Sequence, residues 1–248
     1  MRRLILFVLV FAIPAVAAAQ KPVLTQESRL HYRLGWENLR HEDWEGALTE
    51  FQKSVEIDPA FALGYYGEGR ALMGLKRYIE AIQAYTRCRD LYRAESGKLF
   101  TNRIDAQQHR RDSADEIREQ IRMYKVGRQT PQSEDMIKQL EDRLYLLEQN
   151  QDRGANVTME MTVPPFVLLA LGSAYFRAEK LQDAEREYLN ALSSKPDYGE
   201  VHNNLAVLYL YMNRASDAQN HLRLAEKAGY RVNPQLKDQI REANRKIG

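Results

Sequence analysis

The chain has 248 residues, 44% of them hydrophobic and 28% charged, which is enough for one or two folded domains. Its 36 basic and 34 acidic residues give a formal net charge of +2 without a basic stripe, so the usual electrostatic pattern of a nucleic-acid-binding protein is excluded. The single cysteine, Cys88, excludes an internal disulfide, so stability must come from packing.

Residues 1–19 have the pattern of a secretory signal peptide. Arg2 opens a short basic start, apolar residues 4–13 follow, and Ala17 and Ala19 supply the small residues that a signal peptidase recognises. The apolar run is shorter than the roughly 20 residues that a membrane-spanning helix needs, although an uncleaved anchor is the alternative. We expect cleavage after Ala19, no integral membrane span in the mature chain, and export to the periplasm of a Gram-negative-type bacterium, or secretion.

Four stretches of the chain share one 34-residue register: 28–61, 62–95, 165–198 and 199–232. In each, a small residue lies within the first half, an alanine opens the second half, and a bulky residue follows four positions later. These residues are Gly35, Ala47 and Phe51; Gly69, Ala81 and Tyr85; Gly172, Ala184 and Tyr188; and Ala206, Ala218 and Leu222. Glycine inside a helix costs up to about 1 kcal/mol relative to alanine. Its recurrence therefore predicts that a neighbouring helix approaches closely at that point.

This register and these residues resemble the tetratricopeptide repeat, over residues 28–95 and 165–232. Arg93 and Tyr230 stand where the family has proline, so the pattern does not fix those two unit ends. The resemblance implies an all-α fold, in which helix pairs stack into a solenoid because a single pair cannot bury its apolar face. The expected segments are a signal peptide (1–19), an N-terminal repeat pair (20–95), a long helical hairpin insertion with its connector (96–164), a C-terminal repeat pair (165–232) and a capping helix (233–248).

The middle segment, residues 96–164, loses the repeat register. Its length would suit two degenerate repeats, but its apolar residues favour a hairpin with arms from about 96 to 125 and from a cap at Ser133 to near Gly154. Leucines and isoleucines spaced three and four apart in the second arm resemble a coiled-coil seam. The balanced charges allow two interpretations, a solvated arm and a protrusion that docks a partner or a second copy of the chain.

The C-terminal stretch begins with Asn233, a good helix N-cap, and Pro234, which suits the first helical position. Leu236, Ile240 and Ala243 form one apolar stripe on an otherwise polar helix. This pattern predicts the capping helix that such arrays need at their ends.

In the tetratricopeptide-repeat family, the first helix of each unit, helix A, lines a concave groove that binds a partner. The resemblance places thirteen side chains of this chain in that groove: Tyr32, Trp36, Arg40, Tyr66, Arg70, Met73, Leu169, Ser173, Phe176, Asn203, Asn204, Val207 and Tyr211. Aromatic and arginine side chains are common interface anchors, and asparagine can both donate to and accept from a peptide backbone. Tyr32 and Trp36 stand where one subclass carries the charged clamp for a C-terminal carboxylate. We therefore expect an apolar or aromatic partner segment, such as an amphipathic helix.

No motif for catalysis emerges from the sequence. The five histidines do not form a His-Glu-x-x-His zinc motif, no Cys/His cluster exists, and the glycines between 64 and 69 follow no strand. We expect no enzyme activity, no cofactor and no bound metal. The predicted function is a protein-protein interaction scaffold or adaptor of the cell envelope, with a protein or peptide as partner and no nucleic acid. The alternative is a self-associating structural protein, a homo-oligomer whose contact is the hairpin.

Overall fold

The computed structural model describes residues 15–95, 103–126, 131–149 and 163–246, and these residues form eleven helices and no strand. In chain order the helices are α1 (Ala15–Arg40), α2 (Trp44–Ile57), α3 (Ala62–Gly74), α4 (Tyr78–Glu95), α5 (Arg103–Val126), α6 (Pro131–Gln149), α7 (Pro165–Arg177), α8 (Leu181–Ser194), α9 (Gly199–Tyr211), α10 (Ala215–Lys227) and α11 (Pro234–Arg245). The all-α fold is confirmed. The predicted cleavage point lies inside α1, and residues 1–14 lie outside the described residues.

Helices pair in sequence order, α1 with α2, α3 with α4, α7 with α8, and α9 with α10. Each pair also packs on the next, through α2 and α3, through α4 and α7, and through α8 and α9. The helix pairs thus stack as a solenoid, in the manner of repeat proteins whose units contact only their neighbours.

The small residues of the register allow the close packing that the sequence predicts. A Cβ atom placed on Gly35 would lie 2.7 Å from a ring carbon of Phe51, which is shorter than a normal contact. The equivalent distance is 2.5 Å between Gly69 and Tyr85, and 2.6 Å between Gly172 and Tyr188. In the first three repeats, the aromatic ring of the second helix therefore packs against the first helix at a glycine, where no side chain intervenes.

The turn between the two helices of every repeat contains a residue with left-handed backbone. These residues are Glu42, Lys76, Glu179 and Asn213, with φ angles of 58°, 59°, 59° and 58°. In each turn, the amide of the following residue donates to a carbonyl in the last turn of helix A, as Arg77 N does to Leu72 O at 2.9 Å. This bond satisfies a carbonyl at the helix end, which explains why a strained backbone persists at the same place four times.

The second and third repeats pack directly although 69 residues separate them in sequence. Helix α7 belongs to two cores, because Val167 and Leu171 pack with the first two repeats and Leu168 packs with the last two. An ion pair reinforces the junction, with Arg89 Nη1 of α4 at 3.0 Å from Glu187 Oε1 of α8. The Glu187 side chain is only 2% exposed. The insertion therefore leaves the solenoid continuous.

Helices α5 and α6 form an antiparallel hairpin with its own small core. Its buried residues are Ile117, Ile121, Ile137 and Leu140. Ion pairs along the outside, Lys125 with Glu141 at 2.9 Å and Arg118 with Glu148 at 2.7 Å, follow the antiparallel order. The predicted cap at Ser133 is wrong, because α6 already begins at Pro131, whose fixed φ suits a first helical position.

Helix α11 closes the solenoid at its C-terminal end. Asn233 caps it, accepting a hydrogen bond from the amide of Gln235 at 2.9 Å, and Leu236 and Ile240 join the core of the last two repeats. No helix within residues 15–95, 103–126, 131–149 and 163–246 is both long and apolar enough to cross a bilayer.

Two histidines join the helices of the fourth repeat. His202 Nδ1 and His221 Nδ1 lie 2.9 Å apart, and His202 Nε2 lies 2.9 Å from the carbonyl of Pro196. Because that carbonyl can only accept, His202 Nε2 donates to it. Burial, and then the neighbouring His202, lower the pKa of His221 to about 4. His221 therefore stays uncharged at neutral pH.

Candidate functional site: the A-helix face

The first helices of the four repeats, α1, α3, α7 and α9, form one surface of the solenoid, which we call the A-helix face. They contact each other side by side, α1 with α3 and α7 with α9. All thirteen residues that the sequence assigns to the groove lie on these helices. The structure separates them by exposure. Tyr32, Tyr66 and Leu169 are buried; Trp36, Met73, Ser173, Phe176, Asn203, Asn204 and Val207 are partly exposed; and Arg40, Arg70 and Tyr211 are exposed.

A row of aromatic rings runs along the first three repeats of this face. Tyr32 contacts Trp36 edge to face, with ring centroids 6.1 Å apart, and Trp36 stacks near Tyr66 at 6.4 Å. Tyr66 in turn meets Phe166 of α7 edge to face at 4.9 Å. Such pairs stabilise the contact beyond the area that they bury. The row therefore fixes the geometry of α1, α3 and α7 relative to each other.

A polar group lies beside this row. The Tyr66 hydroxyl raises the pKa of the Arg70 guanidinium, and burial raises the pKa of the Glu200 carboxyl while Arg70 opposes that rise. Burial likewise raises the pKa of the Tyr198 hydroxyl well above its usual value, and Glu200 adds to the rise. Arg70 belongs to the second repeat and Glu200 to the fourth, so their charges interact between repeats that are not neighbours in sequence.

Helix α5 of the insertion lies over one end of the A-helix face. Its Asp115 Oδ2 is 3.0 Å from Arg29 Nη1 of α1, and its Tyr124 ring is 6.0 Å from Phe166 of α7. Sequence reasoning did not predict this arrangement, because no local pattern indicates that residues 86 positions apart will meet. The insertion therefore contributes to the site as well as to the outline of the solenoid.

The other end of the face carries an open cleft between α9 and α11, with a volume of about 490 Å³. We call it the terminal cleft. It is lined by Asn203, Val207, Leu210, Tyr211, Asn233, Gln235, Leu236 and Gln239. Three of these, Asn203, Val207 and Tyr211, are among the sequence-predicted groove residues.

The chemistry of the terminal cleft is uncharged and mixed. Four carboxamides line it, and each can donate and accept hydrogen bonds, while Leu210 and Leu236 are apolar. Tyr211 is 59% exposed, and its ring packs edge to face on Phe176 at 5.9 Å. A ring held at one edge and open on the other side can serve as an anchor for a bound segment. The sequence did not predict the contribution of Gln235 and Gln239, because the pattern of α11 indicates only a capping helix.

The described residues hold no group of three or more histidine, cysteine, aspartate or glutamate side chains that could bind a metal ion. Cys88 is fully buried, and burial raises the pKa of its thiol well above the usual value. A thiol in that state is a packing residue rather than a nucleophile.

The family model of the tetratricopeptide repeat matches residues 32–95 and 169–219. With the stacked helix pairs, this match identifies the chain as a tetratricopeptide-repeat protein. Proteins of this class use their extended concave surfaces to bind other proteins, and they are generally interaction modules rather than catalysts.

Among solved structures, the chain is similar to PilW, a type IV pilus biogenesis factor, at 13% identity over 87% of this chain and 85% of that chain, with a TM-score of 0.39. It is also similar to YrrB, described as a tetratricopeptide-repeat protein with an unusual peptide-binding site, at 15% identity over 94% and 100%, with a TM-score of 0.30. A third is TTC0263, a tetratricopeptide-repeat protein of Thermus thermophilus, at 17% identity over 87% and 98%, with a TM-score of 0.37. No curated protein matches the sequence.

Proposed function

We infer that this protein is an exported scaffold of the cell envelope, which binds an uncharged segment of a partner protein in the terminal cleft. The observation that carries the proposal is the cleft itself: about 490 Å³, no charged side chain in its lining, four carboxamides and the exposed ring of Tyr211. Carboxamides match the alternating donors and acceptors of a peptide backbone, and the leucines and Tyr211 match apolar side chains.

The partner segment that fits this lining is an extended or helical stretch with small apolar or aromatic residues and no charge at the point of contact. A charged group placed there would lose hydration without gaining a countercharge. Of the sequence-predicted groove residues outside the cleft, Trp36, Met73, Ser173 and Phe176 are partly exposed on the A helices of the first three repeats. They provide a path along which a longer segment could continue.

The test is capture of a partner from a periplasmic extract on the tagged mature chain, followed by a binding titration with the captured protein. Tyr211→Ala should weaken that binding by about tenfold or more, as truncation of an aromatic anchor does. The matched control is Ile79→Ala on α4, which removes a similarly exposed apolar side chain (53%) away from the cleft. Equal affinities for wild type and Tyr211→Ala would remove the cleft from the proposed function. Tyr66→Ala is unsuitable, because Tyr66 is 6% exposed and its loss would disturb packing.

Export is the second part of the proposal and depends on residues 1–19. Fractionation of cells that produce the full chain, with N-terminal sequencing of the recovered protein, tests it directly. We expect a periplasmic protein that begins at Gln20. A full-length protein in the cytoplasmic fraction would contradict export.

Self-association through the hairpin is the second candidate function. The observation in its favour is Tyr145 of α6, whose side chain is 61% exposed. Sedimentation of wild type and of Tyr145→Ser over a wide concentration range separates the two functions. A dimer that Tyr145→Ser dissociates supports self-association, and a monomer at every concentration excludes it.

A further inference from the structure

Helix α5 spans three repeats of the solenoid. Asp115 pairs with Arg29 of the first repeat at 3.0 Å, Glu116 accepts a hydrogen bond from the Tyr92 hydroxyl of the second, and Tyr124 packs on Phe166 of the third at 6.0 Å. The nine steps of α-helix from residue 115 to residue 124 rise about 14 Å. An α-helix laid across the A helices in this way occupies the surface as a bound partner helix would.

The surface beneath α5 has the composition of an interface. It includes the two ends of the aromatic row, Tyr32 at 1% and Phe166 at 5% exposure. Burial raises the pKa of the Tyr32 hydroxyl well above its usual value, and the nearby Glu119 carboxylate adds to the rise. Buried tyrosines with an arginine beside them are typical of the centre of protein interfaces.

The contact between α5 and the solenoid is polar and incompletely satisfied. Arg29 Nε, the Tyr32 hydroxyl and Glu119 Oε2 are buried there without a hydrogen-bond partner among the described residues. Each such atom costs free energy comparable with that of a lost hydrogen bond. Among the α5 side chains that the structure describes, Met123 is buried in the core of the first repeats, and Tyr124 packs against that core partly buried.

The hairpin and the solenoid are each held together without this contact. The seam of the hairpin is apolar, with Ile117 and Ile121 of α5 packed on Ile137 and Leu140 of α6. The second and third repeats pack on each other directly through α4 and α7. Separation would therefore break the apolar contacts of Met123 and Tyr124 but would leave the seam of the hairpin and the stacking of the repeats in place.

We propose that the α5–α6 hairpin is an intramolecular lid, which undocks as a unit so that a partner helix with carboxylates on one face binds the A-helix face of the first three repeats. Helix α5 is then the resident occupant of a second binding site, beyond the terminal cleft. The inference rests on the proposed function, because it assigns partner binding to the part of the same A-helix face that α5 covers. The chemistry of α5 defines the partner: acidic residues opposite Arg29 and the tyrosine hydroxyls, and apolar residues opposite Phe166.

The first experiment measures undocking without any partner. Nitroxide labels on Ile79→Cys and Tyr145→Cys, both exposed positions, report the distance from the solenoid to the hairpin by pulsed EPR, in a Cys88→Ala background. The release variant Asp115→Lys with Glu119→Lys should convert a single narrow distance into a broad, longer distribution. The control variant Asp112→Lys with Asp142→Lys makes the same charge change at exposed hairpin positions and should keep the narrow distance.

The second experiment measures whether the uncovered surface binds a helix. The probe is a fluorescein-labelled synthetic peptide of residues 103–126, titrated into the full chain and followed by anisotropy. We expect at least tenfold tighter binding to the release variant than to wild type or to the control. A release variant that keeps the narrow distance, or one that undocks without binding the peptide, would overturn the proposal. Wild type that binds the peptide as tightly as the release variant would overturn it too.

A milder variant decides the question if the double substitution unfolds the chain, which circular dichroism would show. Tyr92→Phe removes only the hydroxyl that bonds Glu116 and Gln120, and it should give a mixture of both distances and intermediate peptide affinity. Wild-type behaviour in both measurements would show that the hairpin is a fixed brace. Neither experiment uses the captured partner. Failure of the lid proposal would therefore leave the Tyr211→Ala test of the terminal cleft unaffected.

Discussion

The ion pair that joins the second and third repeats should contribute asymmetrically to stability. Arg89 bridges Glu187 at 3.0 Å and also Asp90 at 3.0 Å, whereas Glu187 keeps only weaker neighbours, Arg186 at 3.7 Å and Asn190 at 3.4 Å. Arg89→Ala would therefore leave a carboxylate that is 2% exposed without its main countercharge.

Stranding one partner of a buried ion pair costs about 3–5 kcal/mol, and we expect the lower end, about 3 kcal/mol, because Arg186 remains near. Glu187→Gln should cost less, about 1–2 kcal/mol, since Arg89 retains Asp90 and the amide keeps the shape of the carboxylate. Replacing both partners, as Arg89→Met with Glu187→Met, should bring the protein back to within about 1 kcal/mol of wild type, because the double change removes the buried charges together.

Urea unfolding followed by far-ultraviolet circular dichroism measures these differences as changes in the free energy of unfolding. Arg93→Ala is the matched control, because Arg93 is 53% exposed and lies 4.0 Å from Asp90, so its loss should cost under about 1 kcal/mol. The reasoning is refuted if Arg89→Ala is no more destabilising than Arg93→Ala, or if the double Met variant is as unstable as Arg89→Ala.

Four further substitutions test the repeat geometry and the titration of His221. Lys76→Gly should raise the free energy of unfolding by up to about 1 kcal/mol, because glycine adopts the left-handed backbone without strain, and Asn213→Gly should gain less because asparagine tolerates that backbone; thermal melts compare them. Gly69→Ala should destabilise by about 1–3 kcal/mol, since its methyl group would lie 2.5 Å from the Tyr85 ring, and a urea midpoint equal to that of wild type would contradict the close packing. His221, whose pKa falls to about 4 on folding, binds its proton more readily in the unfolded chain, so stability should be complete above pH 6.5 and decline as the pH falls towards 4. After allowance for solvent screening the decline is about 1–2 kcal/mol, and His221→Gln should abolish it in urea titrations at several pH values.

The repeat register could be predicted because its physical cause is local and periodic. Gly35, Gly69 and Gly172 indicate a close approach, and the aromatic residue sixteen positions later is the group that approaches. Asn233 and Pro234 likewise mark the start of α11 by their own backbone preferences. Features that follow from one residue type at one spacing can therefore be predicted from a single sequence.

The covered part of the site could not be predicted for the opposite reason. Tyr32 has the phase of a groove residue but is buried, and Arg29 on the same helix pairs with Asp115 of α5, which lies 86 positions away along the chain. The left-handed turns also lack a sequence signal, since glutamate and lysine occupy three of the four positions. The docking of a helix that is distant in sequence and the strain of a turn leave no pattern in composition or periodicity. Only the three-dimensional structure shows them.

The direct packing of α4 on α7 makes the junction between the second and third repeats a natural insertion point. The chain departs from the array at Glu95 and rejoins it at Val163, and the entropic cost of closing such an excursion grows only with the logarithm of its length. Segments of quite different size could therefore be spliced between these residues with little effect on the superhelix. Evolution or protein engineering could therefore replace the hairpin at this junction with another segment and give the same solenoid a different binding partner.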